Sequence, residues 1–190
     1  MINSIGIIVE DTTDYEAAKI LIQRVTGKNN LTFKKSVSNG CGKLRRKALD
    51  YTNDLTKRGC QMVIIIHDKD RNCHNELMNE LCRIVKPTKA KIKHICIPIE
   101  EMEAWFISDP QGIKDSFNLK RLPRFKGNPE TINSPKEVLA EQVYLCSNKS
   151  TIFLTKHNQK LAEVVSLDKA KDKCKSFSSL VDFLEQQTYK

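Results

Sequence analysis

No two cysteines in this chain are spaced as CxxC, and the seven present, at 41, 60, 73, 82, 96, 146 and 174, are odd in number. That usage argues against a disulfide framework and for free thiols in a reducing compartment. Cys73, His74 and Cys82 lack the second close pair that a zinc site needs, so zinc is not expected. Long apolar runs are also missing. The first one ends at Glu10, so neither a secretory signal nor a membrane span is legible. There is no repeat and no low-complexity tract, which removes solenoids and fibrous arrays. The expectation is a cytoplasmic protein without membrane contact.

What the chain does have is a basic surplus and an apolar fraction sufficient for a core. Its 190 residues carry a formal net charge of +9, with 39% apolar and 29% charged residues. A surplus of that sign favours an anionic partner, nucleic acid first and acidic membrane surfaces second. The composition excludes a chain disordered throughout.

The first hundred residues alternate between strand and helix signals. Residues 4–9 read as a short buried strand, and Thr13-x-x-Glu16 reads as a capping box opening a helix that stops at Gly27. Leu31 to Val37 is a second strand, followed by the turn Ser38-Asn39-Gly40-Cys41-Gly42 and a helix ending at Gly59. Val63 to Ile66 is an unbroken β-branched run, the pattern of a strand covered on both faces. A helix through Leu77, Leu81 and Val85 leads to Pro87, and Ile92 to Ile97 make a fourth strand. This order predicts an α/β fold with a mostly parallel four-stranded sheet flanked by helices. At about residue 109 the sequence turns to helix and loop. Residues 1–108 therefore read as the core and 109–190 as a helical, basic-loop extension packed on it. Helices are expected at Pro135–Cys146, Asn158–Val165 and Ser176–Gln187, after a basic loop from Asn118 to Pro135.

Acidic residues fall where the strands end. Glu10 follows the first strand, Asp68 and Asp70 follow the third, and Glu103 lies just beyond the fourth. An aspartate after a strand is by itself an ordinary turn former or helix cap. Here strands one and three of a parallel sheet would bring Glu10, Asp68 and Asp70 to one edge, where α/β sheets place their ligands. Neighbouring carboxylates repel unless a cation lies between them, so Mg²⁺ (or Mn²⁺) is the expected cofactor, held by Glu10, Asp68, Asp70 and Glu103. His67 is either an added ligand or a structural strand-end residue, and its ring orientation decides between them.

The motifs Val9-Glu10-Asp11-x-x-Asp14 and Ile64-Ile65-Ile66-His67-Asp68-Lys69-Asp70 together resemble a Toprim domain, which carries a glutamate after its first strand and a D-x-D after its third. Ile97 to Pro110, with Glu103-Ala104-Trp105 inside it, resembles a Toprim-like family of unknown function, DUF4276. So do the Gly40 to Lys43 turn, the Pro135-Lys136 helix start, Lys156-His157 and Ser176-Phe177. One departure is that Glu10 is followed by Asp11, where Toprim domains usually have glycine. The resemblance implies a Toprim-like Rossmannoid core and Mg²⁺-dependent chemistry on nucleic-acid backbones. Glu10, Asp68 and Asp70 would be its catalytic residues. It also implies an ATPase partner in a bacterial defence system. No tyrosine-bearing or nucleotide-binding module is legible, which leaves phosphodiester hydrolysis as the simplest chemistry. Lys43, Arg45, Arg46 and Lys47, then Arg121, Arg124 and Lys126, and Lys156 are the cations expected to guide DNA or RNA. Two alternatives stand beside a nuclease. One is a non-catalytic subunit that keeps the fold. The other is a phosphatase with Asp68 as nucleophile and Asp70 as acid, although that motif normally follows a first strand.

Overall fold

The structure is a computed structural model that describes residues 2–188. Four strands make one all-parallel sheet among these residues: β1 (Ser4–Val9), β2 (Thr32–Val37), β3 (Met62–Ile66) and β4 (Ile92–Cys96), in the order β2-β1-β3-β4. Each consecutive pair is joined by a helix: α1 (Thr12–Thr26), α2 (Cys41–Lys57) and α3 (His74–Val85). Parallel neighbours need such crossovers, because a tight hairpin cannot return the chain to the same end.

The β-branched strands are buried on both faces, as their lack of polar alternation predicts. Side chains alternate across the pleat. Ile5, Ile7, Val9, Met62, Ile64, Ile66 and Cys96 join one apolar cluster with α1, while Ile8, Val63 and Ile65 join a second with α2 and α3. Gly6 lets α2 approach β1. A β-carbon there would lie 2.9 Å from Leu55 Cδ1.

The capping box expected at Thr13 is not what opens α1. Asp11 is the N-cap, and its Oδ1 accepts from the amides of Thr13 at 2.6 Å and Asp14 at 3.1 Å. The helix starts two residues earlier than that box implies, so the amides to be capped are those of Thr13 and Asp14, and the Asp11 carboxylate satisfies both.

Beyond the sheet come α4 (Glu103–Ile107), α5 (Pro110–Phe117), a 3-10 turn at Pro129–Thr131, α6 (Pro135–Cys146), a second at Thr155–His157, α7 (Asn158–Val164), α8 (Leu167–Lys173) and α9 (Lys175–Thr188). The short α8 lies in a stretch with no helix expectation. Ser166 caps it by accepting from Lys169 N, and only Ala170 of its residues is buried. Residues 109–188 share the first core with the sheet: Ile113, Leu139, Phe153, Leu161, Phe177 and Leu180 belong to the same cluster as Ile7 and Ile64. Trp105 is fully buried against Phe177, and its Nε1–H donates to Ser176 Oγ at 2.8 Å. That bond ties the segment after β4 to α9 and satisfies the indole donor inside the core.

Candidate functional site

The carboxyl ends of β1 and β3 emerge side by side. The register Ile8↔Ile65, continued two places, sets Glu10 opposite His67. His67 Nδ1 lies 3.3 Å from Glu10 Oε1 and 2.6 Å from the carbonyl oxygen of Asp68. His67 is fully buried, and burial pulls its pKa below the ordinary histidine value. The neutral ring then donates its Nδ1–H to the Asp68 carbonyl. Glu10 Oε1 and His67 Nε2 are left buried without a hydrogen-bond partner. The ring orientation thus makes His67 a brace for the strand end.

Asp68 continues the alternation onto the opposite face, toward α1 and α4. There it meets Asp14, one turn into α1, and Glu103, the first residue of α4. Glu103 is 4% exposed and accepts from Asn158 Nδ2 at 2.9 Å. Each carboxyl holds its proton more tightly the more acidic neighbours it has, and here they are many. Burial first, then Asp70 and Asp11, push Glu10 up to about 7. Burial, then Asp11, Glu103 and Glu10, push Asp14 up to about 8. Burial, then Asp14, Glu103, Glu10 and Asp70, raise Asp68 well above the usual carboxylate range. Glu103 is raised by burial, against the opposing Asn158 hydrogen bond.

Asp70 leaves this line. β3 ends at Ile66, and Asp70 takes a left-handed φ of 48°. The loop is pinned to the one after β4: Lys69 N donates to Pro98 O at 2.9 Å and Asp70 N to Glu100 O at 3.1 Å, while Lys69 Nζ pairs with Glu100. Asp70 lines a pocket of roughly 470 Å³ with Arg71, Glu100, Glu101 and Glu137. Its charge still reaches Glu10 and Asp68.

Among the described residues, no group of three or more His, Cys, Asp or Glu side chains stands close enough to hold a metal ion. The donor chemistry is nonetheless that of a hard cation: all the acids are oxygen donors, and Glu10 Oε1 is an unpartnered buried oxygen.

Sequence reasoning missed Asp14 as a member of this group. Its signal was the Glu10-x-x-x-Asp14 spacing, which puts the second acid one helical turn past the strand end. It also missed Lys136, whose charge lowers the pKa of Glu103 and whose amide donates to Glu101 Oε2 at 2.9 Å. Pro135 at the first position of α6 marked that helix start.

The expected guiding cations are spread more widely. Ser38 N donates to Val9 O at 3.0 Å and Asn39 N to Glu10 O at 2.8 Å, which sets the turn before α2 beside Glu10. Gly40, the N-cap of α2, has φ 124° and gives no side-chain cap. Lys43 and Arg46 are exposed on that first stretch of helix, and so is Lys47, 3.3 Å from Asp50. Arg45 is half-buried, 3.4 Å from Glu80, and close enough to lower the pKa of Glu10. Arg124 lies elsewhere, lining a separate hollow of roughly 810 Å³ with Arg121 and Leu145. Lys126 is exposed in the same loop, and no contact among the described residues ties it to the carboxylates. Lys156 is exposed two residues before Asn158, the partner of Glu103.

Fold and site together define an α/β protein with a parallel sheet and a carboxylate-rich strand edge. The chain belongs to the DUF4276 family, a domain of unknown function, whose model matches residues 9–185. Comparison with curated proteins and with solved structures finds no match. No helix among the described residues is long and apolar enough to cross a membrane.

Proposed function

We propose that this protein is a Toprim-like, Mg²⁺- or Mn²⁺-dependent nuclease that hydrolyses phosphodiesters of DNA or RNA. The observation that carries this reading is the set of mutually repelling carboxyls, Glu10, Asp14, Asp68 and Glu103, with Glu10 beside an uncapped helix start bearing Lys43, Arg45 and Arg46. Glu10, Asp68, Asp70 and Glu103, joined by Asp14, would hold the cation. A bound divalent ion neutralises non-bridging phosphate oxygens and acidifies water. Glu10 stands at about 7 in the cation-free protein, and a divalent ion beside it would lower that value and favour the charged form that accepts a proton from water. The free amides at the start of α2 and the cations that follow would orient the phosphate. Arg124, Lys126 and Lys156 would act farther along the nucleic acid. The reading includes a cytoplasmic location and an ATPase partner in a bacterial defence system.

A second reading, a non-catalytic subunit of such an ATPase complex, is favoured by the spacing of the carboxyls, which does not reach ligand distance among the described residues. A D-x-D phosphatase is less well supported. The chain's D-x-D pair follows β3, whereas that motif normally follows a first strand. The test is cleavage of labelled DNA and RNA with Mg²⁺ or Mn²⁺ by the wild type and by Glu10→Ala, Asp68→Ala and Asp70→Ala. Cleavage lost in the variants supports the nuclease. Cleavage surviving all three changes rules out the assigned site.

A further inference from the structure

One buried amide outside the strand ends reaches the carboxyls with half of its hydrogen-bonding capacity unused. Asn158 opens α7 and is fully buried. Its Nδ2 donates to Glu103 Oε1 at 2.9 Å, while its Oδ1 has no hydrogen-bond partner. A buried amide oxygen without a donor is disfavoured, and such an orphan marks a place for a ligand. Exchanging the two amide atoms would turn an acceptor toward a carboxylate that a cation keeps charged, so the donor belongs on Glu103. Oxygen and nitrogen share one carbon, which keeps the orphaned oxygen beside the Glu103 carboxyl.

Three helices bring this amide to the acids. α7 packs along α1, which carries Asp14 in its first turn, and touches α4, which begins at Glu103. The charges of Asp14 and Glu103 both act on Asp68 at the end of β3, so the three carboxyls share one neighbourhood.

An amide suits this place chemically. Hard cations accept the side-chain carbonyl oxygen of asparagine as readily as they accept carboxylates. Asp14, Asp68 and Glu103 already crowd three acids into a buried corner, and a fourth would add to their repulsion. Asparagine supplies an oxygen without a charge. Its Nδ2 meanwhile fixes the rotation of the Glu103 carboxyl, as partners of ligating carboxylates do.

We propose that Asn158 Oδ1 is a neutral ligand to the divalent cation held by Asp14, Asp68 and Glu103. The helical segment 109–188 then completes the site as well as packing on the sheet. This rests on the cation-binding reading above and adds to it a ligand from outside residues 1–108.

The experiment is calorimetric titration of the full-length protein with Mg²⁺ and with Mn²⁺, for the wild type, Asn158→Ala and Asn158→Asp. Asn158→Ala removes both the oxygen and the donor, and it should weaken binding at least about tenfold. Asn158→Asp keeps an oxygen and loses the donor, and it should bind within about threefold of the wild type or more tightly. If Asn158→Ala does not fold, the wild type alone decides. Its Asn158 side-chain amide resonances, assigned by their absence from Asn158→Asp, should shift with Mg²⁺ and broaden with Mn²⁺. Undiminished binding by Asn158→Ala, or amide resonances unmoved at saturating Mg²⁺, overturns this ligand and leaves the cation site standing. Asn158→Asp binding as weakly as Asn158→Ala overturns it too, because a residue that only orients Glu103 through Nδ2 gives that result. Absence of binding to the wild type overturns the ligand together with the reading it rests on.

Discussion

Asp14→Asn should stabilise the cation-free protein, and more so as pH rises. The carboxyl stands at about 8 in the fold against an ordinary 3.8. At roughly 1.4 kcal/mol per pH unit, this opposes the charged form by on the order of 5 kcal/mol. The opposition is shared with Asp68, Glu103 and Glu10, and burial of the replacement amide remains, so about 2 kcal/mol is the part the substitution recovers. The sign follows from proton binding. The folded state holds protons on Asp14 and Glu10 that the unfolded chain has released, so stability contributed by these groups is full below about pH 4 and is lost as pH rises toward about 8. The assay is urea unfolding in a chelating buffer at about pH 5 and about pH 8.5. Wild type should lose stability between the two, and the variant should lose less. The gap at the higher pH should shift the melting temperature by about 4–8 °C for a domain of this size. A variant less stable than wild type at the higher pH, or an equal gap at both, refutes the argument.

Gly6→Ala should destabilise by about 1–3 kcal/mol in the same unfolding assay, because the added carbon meets Leu55 Cδ1 at 2.9 Å in a closed interface. Asp11→Ala removes the cap that two amides of α1 share and should lower stability by about 1 kcal/mol. Lys43→Ala and Arg46→Ala should each weaken DNA or RNA binding and lower the slope of log affinity against log salt by about one, read by fluorescence anisotropy across a salt series.

The sheet was legible because buried parallel strands carry an unmistakable pattern: Val63 to Ile66 allows no solvent face, and crossover helices alternate with such runs. That Glu10 and Asp68 leave neighbouring strand ends was legible for the same reason, since β1 and β3 are parallel neighbours; that the pleat sends them to opposite faces of the sheet was not read from the motif. What the i, i+2 spacing of Asp68 and Asp70 did not reveal is the left-handed turn at Asp70, which spoils strand periodicity two residues after it matters. Asp14 hid in the first turn of a helix, where an acid is also an ordinary dipole partner. Its role emerges only when Glu103 and Asp68 arrive from distant parts of the chain. The dispersal of Arg124 and Arg121 into a separate hollow was likewise invisible, because charge counts do not say which surface a loop joins.

The central claim is that the carboxylate edge binds a divalent cation, and calorimetric titration with Mg²⁺ and Mn²⁺ at about pH 7 tests it most directly. In buffers of different ionisation enthalpy, binding should release protons, because Glu10 and Asp14 are partly protonated before the cation enters. Asp68→Asn and Glu10→Gln should abolish or sharply weaken that binding while the fold, followed by circular dichroism, persists. Absence of binding to the wild type, or binding that both variants retain unchanged and without proton release, would contradict the account.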